Sequence, residues 1–142
     1  MIRVTRRYRF SASHRLYSGA LPEAANRELY GKCSNPHGHG HDYLLEVSVR
    51  GPVDPVSGRA ADAGALDRLV GCRVVSAFDH RNLNADVMAF EPVVPTTENL
   101  ALEIRRRLIE SWGEAFPGPW PKLDRIRIYE TKRNIFEIIE NV

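Results

Sequence analysis

His37-Gly38-His39-Gly40-His41 sets imidazoles at alternate positions, and the alternation runs on into Tyr43, Leu45, Val47 and Val49. Side chains of an extended segment alternate in direction, so residues of one parity share a face. The three histidines are therefore expected at the entry to the apolar face of a strand, with only glycine between them. Such a segment offers two or three ring nitrogens to one ion. Neutral imidazole suits zinc best among common metals, with copper, nickel and iron also accepted. Structural zinc sites are closed by four ligands, several of them cysteines, whereas catalytic sites keep three protein ligands and an open position. The chain has two cysteines, Cys33 and Cys72, and no C-x2-C pair, so a structural knuckle is disfavoured and a catalytic centre is expected.

A second strand is expected to pair with this one. From Ile2 to Ser13, Val4, Tyr8, Phe10 and Ala12 share a parity that His14 continues, while Arg3, Thr5, Arg7, Arg9 and Ser11 share the other. If the strand of Tyr43 to Val49 runs antiparallel to it, His14 and His41 fall at the same end of the sheet. Between them, Tyr17 to Lys32 reads as a loop with one helical turn around Glu23 to Leu29. Helices are expected over about 63–78, with Leu66, Leu69, Val70, Val74 and Ala77 buried, and over about 98–115, with Leu100, Ile104, Leu108, Ile109 and Trp112 buried. Gly71 weakens the first. Thr96 or Thr97 caps the second, and Glu98 suits its N-terminal dipole. Strands over Leu123 to Thr131 and about Ile135 to Glu140 complete an α+β order of ββααββ.

With 142 residues and no repeat or linker, residues 1–142 are expected to form a single domain. A formal charge of +2 is too small to point to nucleic acid. Arg3, Arg6, Arg7 and Arg9 lack interleaved aromatics for base stacking and read as a solvated edge. No apolar run approaches the roughly 20 residues needed to span a bilayer, and no signal-peptide pattern precedes the first strand, so a cytoplasmic protein is expected. A reducing compartment favours free thiols, with Cys72 packed in the apolar stretch Leu69 to Val74.

Three further groups carry chemistry. Cys33, next to Lys32 and near a metal, would be favoured as thiolate and serve as base or nucleophile; closer metal contact would make it a ligand. Asp79-His80 either forms an ordinary turn or pairs a carboxylate with an imidazole for acid-base work. Glu130 continues the parity of Ile126 and Ile128, so a carboxylate extends an apolar face. It is either a salt-bridge partner or a bidentate acceptor for a guanidine-like ring edge.

Together, Phe10-Ser11-Ala12-Ser13-His14, Leu29-Tyr30-Gly31-Lys32-Cys33, His39-Gly40-His41-Asp42-Tyr43, Phe78-Asp79-His80-Arg81-Asn82-Leu83-Asn84, Pro95-Thr96-Thr97-Glu98-Asn99 and Tyr129-Glu130-Thr131 resemble the 6-pyruvoyltetrahydropterin synthase and 6-carboxytetrahydropterin synthase family over nearly the whole chain. The resemblance implies a tunnelling fold: a four-stranded antiparallel sheet with two helices, three subunits joining their sheets into a barrel, and two trimers stacking into a homo-hexamer with active sites between subunits. It implies Zn2+ on His14, His39 and His41, acid-base chemistry by Cys33, Asp79 and His80, and a pterin anchored by Glu130 with Thr96 and Thr97 beside the ring. It further implies a lyase that converts dihydroneopterin triphosphate to 6-pyruvoyltetrahydropterin with loss of triphosphate. The sister reaction, in the queuosine pathway, instead yields 6-carboxytetrahydropterin and acetaldehyde. Cys33 with His37-Gly38-His39 fits the shorter C-x3-H-G-H spacing of the carboxy-forming enzymes, and Cys33 with His39-Gly40-His41 the longer C-x5-H-G-H spacing of the pyruvoyl-forming ones. Because Tyr43 and its strand match when His39 and His41 are ligands, the longer register is taken and His37 is the spare. Arg15, Lys32, Lys132 and Arg133 are candidates to meet triphosphate. A non-catalytic zinc- or pterin-binding module is the alternative of another class.

Overall fold

β1 (Ile2–His14) and β2 (His39–Gly51) pair antiparallel along their whole length, from Ile2 opposite Gly51 to His14 opposite His39. The computed structural model describes residues 1–140. After β1 come α1 (Glu23–Tyr30) and a tight helical turn, Gly31–Ser34, that leads to β2. Then follow α2 (Ala63–Val70), α3 (Ser76–Phe78), β3 (Arg81–Asn82), α4 (Leu83–Asp86), α5 (Thr97–Ala115), β4 (Lys122–Tyr129) and β5 (Ile135–Ile139). One sheet has the order β3-β1-β2-β4-β5, all pairs antiparallel except β3 with β1.

The central strand is apolar on one side and polar on the other, as its alternation requires. Tyr43, Leu45, Val47 and Val49 are wholly buried among residues of α2 and α5. On the opposite side Glu46 and Ser48 are also buried, because neighbouring strands reach over them. Arg7 Nε donates to Glu46 Oε2 at 2.9 Å, Tyr129 Oη to Glu46 Oε1 at 3.3 Å, and the Thr5 and Ser48 hydroxyls lie 2.7 Å apart. The arginine-rich edge is ion-paired: Arg3 with Asp124, Arg7 with Glu46, and Arg6 with Asp67 of α2.

The sheet has five strands, not the expected four. The addition is the two-residue β3, parallel to Ala12 and Ser13. It is too short to show alternation, and it is brought alongside β1 by His80 N–H donating to Ser11 O and Ser11 N–H to Asp79 Oδ1. The helix expected over 63–78 is broken after Val70 by a wide π turn, Gly71–Val75, before α3 resumes. Leu66, Val70, Val74 and Phe78 are almost wholly buried at spacings of four, while Ala77 is only partly covered. Cys72 is exposed rather than packed, since Val70 and Val74 on either side take the core. On α5, Leu100, Ala101, Ile104 and Leu108 form the buried stripe and Ile109 turns to solvent. Thr96 is the cap, its Oγ1 accepting from Asn99 N–H. β2 begins at His39 instead of Tyr43, and β4 stops at Tyr129, leaving Glu130 in the turn to β5. Cys33 and Cys72 are both free, and no helix among the described residues is long and apolar enough to cross a membrane.

Asp67 joins the edge strand to α2, accepting from Arg6 Nη2 and Tyr8 Oη at 2.7 Å each. These bonds, Arg6 first, hold its carboxyl below the usual carboxylate range. A depressed folded pKa stabilises the fold above the unfolded value of about 3.9, and that contribution is lost as pH falls through the folded value. Asp67→Asn is therefore expected to lower the melting temperature slightly at neutral pH. The deficit should shrink below about pH 4, as measured by thermal unfolding across pH.

Candidate active site

In the β1–β2 ladder His14 faces His39 and Ala12 faces His41, all on the core side of the sheet, so the three imidazoles converge at its end. Their ligand atoms lie within 4.8 Å of one another. Ring centroids are 5.0 Å apart for His14 and His39, 5.1 Å for His14 and His41, and 4.7 Å for His39 and His41. His14 is buried, and the other two are partly open.

The donor chemistry suits a metal. His14 Nδ1 lies 2.8 Å from the Pro95 carbonyl oxygen, which can only accept, so Nδ1 carries the proton and Nε2 keeps its lone pair. Burial lowers the pKa of His14, partly opposed by the Pro95 bond and reinforced by the other two rings. Burial likewise lowers that of His41, opposed by the charge of Glu130. Both rings are thereby favoured as neutral ligands. His41 Nε2 is buried with no hydrogen-bond partner, a lone nitrogen that coordination would satisfy.

His37 lies outside this group. It is exposed, its N–H donates to Asn35 Oδ1, and the turn closed by Gly38 N–H on Asn35 O separates it from the ladder. Gly38 has φ +66°, and a Cβ there would stand 2.8 Å from His14 O. The triad thus uses the longer spacing from Cys33.

Cys33 sits on the turn Gly31–Ser34, its carbonyl accepting from Leu16 N–H at 2.8 Å. Its Sγ is 3.8 Å from His39 Nε2, so thiol and triad are neighbours. Lys32 is exposed and forms no ion pair among the described residues. Glu130 projects from the end of β4, where Thr97 Oγ1 donates to its Oε2 and Asn134 Nδ2 lies 3.5 Å from its Oε1. Its negative charge opposes the lowering of the His14 and His41 pKa values by burial. Thr97 is buried against it, whereas the Thr96 oxygen is engaged in capping α5.

Asp79 and His80 do not join this cluster within the chain. They lie on the open edge of β1, with Asp79 Oδ1 engaged by Ser11 and the His80 side chain 83% exposed. His80 holds φ +58°, uncommon outside glycine, while its N–H is tied to Ser11 O at 2.6 Å. Asp79 Oδ2 is 3.6 Å from His80 Nε2. Of the triphosphate candidates, Arg15 donates through Nε to Ser34 O and lies over the Tyr17 ring, while Lys132 and Arg133 are exposed.

Sequence reasoning missed two positioning groups. The Pro95 carbonyl is backbone and leaves no residue-type signal. Asn84 clamps the residue after His14, accepting from Arg15 N–H at 2.7 Å and donating to Arg15 O at 2.9 Å. Its place in the Phe78 to Asn84 motif was the available signal. The assembled site offers three convergent nitrogens, a thiol beside them and a hydrogen-bonded carboxylate close by, a set able to combine Lewis-acid activation with proton transfer.

A family model described as 6-pyruvoyl tetrahydropterin synthase matches residues 3–141. The 6-pyruvoyl tetrahydrobiopterin synthase of Poecilia reticulata is 45% identical over 132 residues, covering 93% of this chain and 86% of the relative. That of Homo sapiens is 42% identical over 132 residues, covering 93% and 87%. The solved structure of Caenorhabditis elegans 6-pyruvoyl tetrahydropterin synthase superposes with a TM-score of 0.88 at 38% identity, covering 99% of this chain and 96% of that one.

Because Gly38 abuts the backbone of His14, Gly38→Ala is expected to displace that histidine from the triad. Metal affinity should fall about ten- to hundredfold with the fold retained, and His14→Ala should abolish stoichiometric binding. Elemental analysis and metal titration, with circular dichroism as the fold control, check both.

Proposed function

The chain belongs to the 6-pyruvoyl tetrahydropterin synthase family, and on that premise we propose that it converts dihydroneopterin triphosphate to 6-pyruvoyltetrahydropterin, acting as a zinc-dependent lyase that releases triphosphate. The observation that carries the reading is the triad of His14, His39 and His41 with Cys33 beside it, in the register that leaves His37 outside. That is the longer C-x5-H-G-H register, which favours the pyruvoyl product over the carboxy product.

Zinc held by the three histidines would supply Lewis-acid activation of the hydroxyls on the substrate side chain and acidify the adjoining C–H. Cys33 removes and returns protons at those carbons, with its thiol next to the ligand shell rather than within it. Glu130 accepts the guanidine-like edge of the pterin through two carboxylate oxygens, held in place by Thr97. Thr96 flanks the ring while capping α5. Arg15, Lys32, Lys132 and Arg133 supply positive charge for the triphosphate.

His80, paired with Asp79, acts as the partner acid-base group in the site of a neighbouring subunit. Its exposure and its strained backbone at the edge of β1 support that reading. β3 covers only Ala12 and Ser13 of that edge, and β5 ends the sheet on the other side, so both edges have backbone free to pair. Three copies joined edge to edge would close a barrel, and two such trimers would form a hexamer in which residues 1–142 of each copy act as one domain. A cytoplasmic location belongs to the same reading.

Incubation of the zinc-loaded protein with dihydroneopterin triphosphate is expected to yield 6-pyruvoyltetrahydropterin and triphosphate, resolved by chromatography and mass spectrometry. Formation of 6-carboxytetrahydropterin and acetaldehyde would move the chain to the sister reaction, and neither product would end both readings. Cys33→Ala is expected to lower kcat by about 10²- to 10⁴-fold with zinc retained. Unchanged function in that variant would instead favour a non-catalytic binding module.

A further inference from the structure

The turn that carries the thiol has its last two carbonyls held by one short stretch of chain. Helical turns leave their final carbonyls without partners of their own. Here Leu16 N–H donates to Cys33 O at 2.8 Å, and Arg15 Nε donates to Ser34 O at 2.7 Å. Ser34 is buried, so losing that donor would leave a carbonyl poorly served by water. The amides that follow are engaged elsewhere, Asn35 N–H on Lys32 O and Gly38 N–H on Asn35 O. A side chain, not an amide, therefore satisfies the Ser34 carbonyl.

Arg15 is itself fixed from several directions. Asn84 accepts from its N–H at 2.7 Å and donates to its carbonyl at 2.9 Å, and its guanidinium lies 4.3 Å from the centre of the Tyr17 ring. It directly follows His14, which stands opposite His39 in the β1–β2 ladder, and Cys33 Sγ lies 3.8 Å from His39 Nε2. These contacts close a circuit. His14 leads through the chain to Arg15, Nε of Arg15 to the Cys33–Ser34 turn, the thiol to His39, and His39 back to His14.

We propose that Arg15 is a positioning residue for Cys33: by holding the Ser34 carbonyl it ties the thiol-bearing turn to the strand of His14 and fixes where the thiol stands beside the triad. A planar guanidinium suits the task, because stacking and a fixed donor direction leave it little freedom. Misplacing a reacting group by about 1 Å can cost on the order of 10²-fold in rate. The inference deepens the assignment of Cys33 as the proton carrier and rests on it. The charge that Arg15 offers the triphosphate is a separate contribution, read in KM.

In the zinc-loaded protein saturated with dihydroneopterin triphosphate, Arg15→Ala is expected to lower kcat about ten- to hundredfold, with zinc content and circular dichroism unchanged. Added to Cys33→Ala, it should lower kcat no further. In the substrate-free protein, amide exchange at Leu16 should quicken about tenfold as the turn loosens. Arg15→Lys keeps the charge but not the flat fork, so it should lower kcat several-fold at unchanged KM even if the alanine variant fails to fold. A rise in KM alone would overturn the proposal and leave Arg15 to the triphosphate. Unchanged exchange at Leu16 would overturn it as well, and so would zinc loss alongside the loss of rate, which would place the effect on His14. If Cys33→Ala lowers kcat but neither Arg15 variant does, or if the two losses multiply, the coupling is wrong and the thiol stands. If Cys33→Ala leaves kcat unchanged, the thiol assignment itself fails and the coupling falls with it.

Discussion

Every part of the candidate site depends on one register, that of β1 against β2. Pairing His14 with His39 and Ala12 with His41 brings imidazoles from two distant stretches onto one face of the sheet. A slip of one residue would turn a strand over, sending Tyr43, Leu45, Val47 and Val49 out of the core with the histidines. The apolar half of β2 thus supplies the free energy that holds the histidines in place. The same face that packs against α2 and α5 ends in the three-histidine group.

Around that register, backbone groups position side chains. Pro95 selects the tautomer of His14, Asn84 secures the residue after it, and Leu16 grips the carbonyl of Cys33. Gly38 permits the turn before β2 to lie against His14. The three histidines are accordingly built into a preformed shell, which would limit the reorganisation needed were they to hold an ion.

Much of this was legible from alternation alone. Parity in Val4 to His14 and in His39 to Val49 reports which face each residue occupies, because a strand has period two and one face is buried. The long α5 and its threonine cap were legible for the corresponding helical reasons. Less legible was whatever depends on contacts distant in sequence. β3 exists because Asp79 and His80 grip Ser11, and no periodicity can show in two residues. Gly71 signalled a weakness in the helix without revealing the π turn, and Ile109 showed that an apolar residue beside a buried stripe can remain in water. For the site, residue types pointed to the three histidines that converge, to the thiol beside them and to the carboxylate of Glu130. The role of a carbonyl such as that of Pro95 emerges only when the elements are packed together.

The separation of His37 from the triad bears on how the chain would meet a metal ion. Before β1 and β2 pair, His37, His39 and His41 lie at alternate positions of one segment, a local trio that would offer imidazoles to a metal without any long-range structure. With an ion held that early, folding would exchange a neighbouring histidine for a remote one, replacing His37 with His14. Any grip that the unfolded chain has on the ion subtracts from the stability conferred by the finished centre. The thermodynamic contribution of a bound metal would then be the difference between two histidine sets that share two members, with His37 setting the reference from which it is measured.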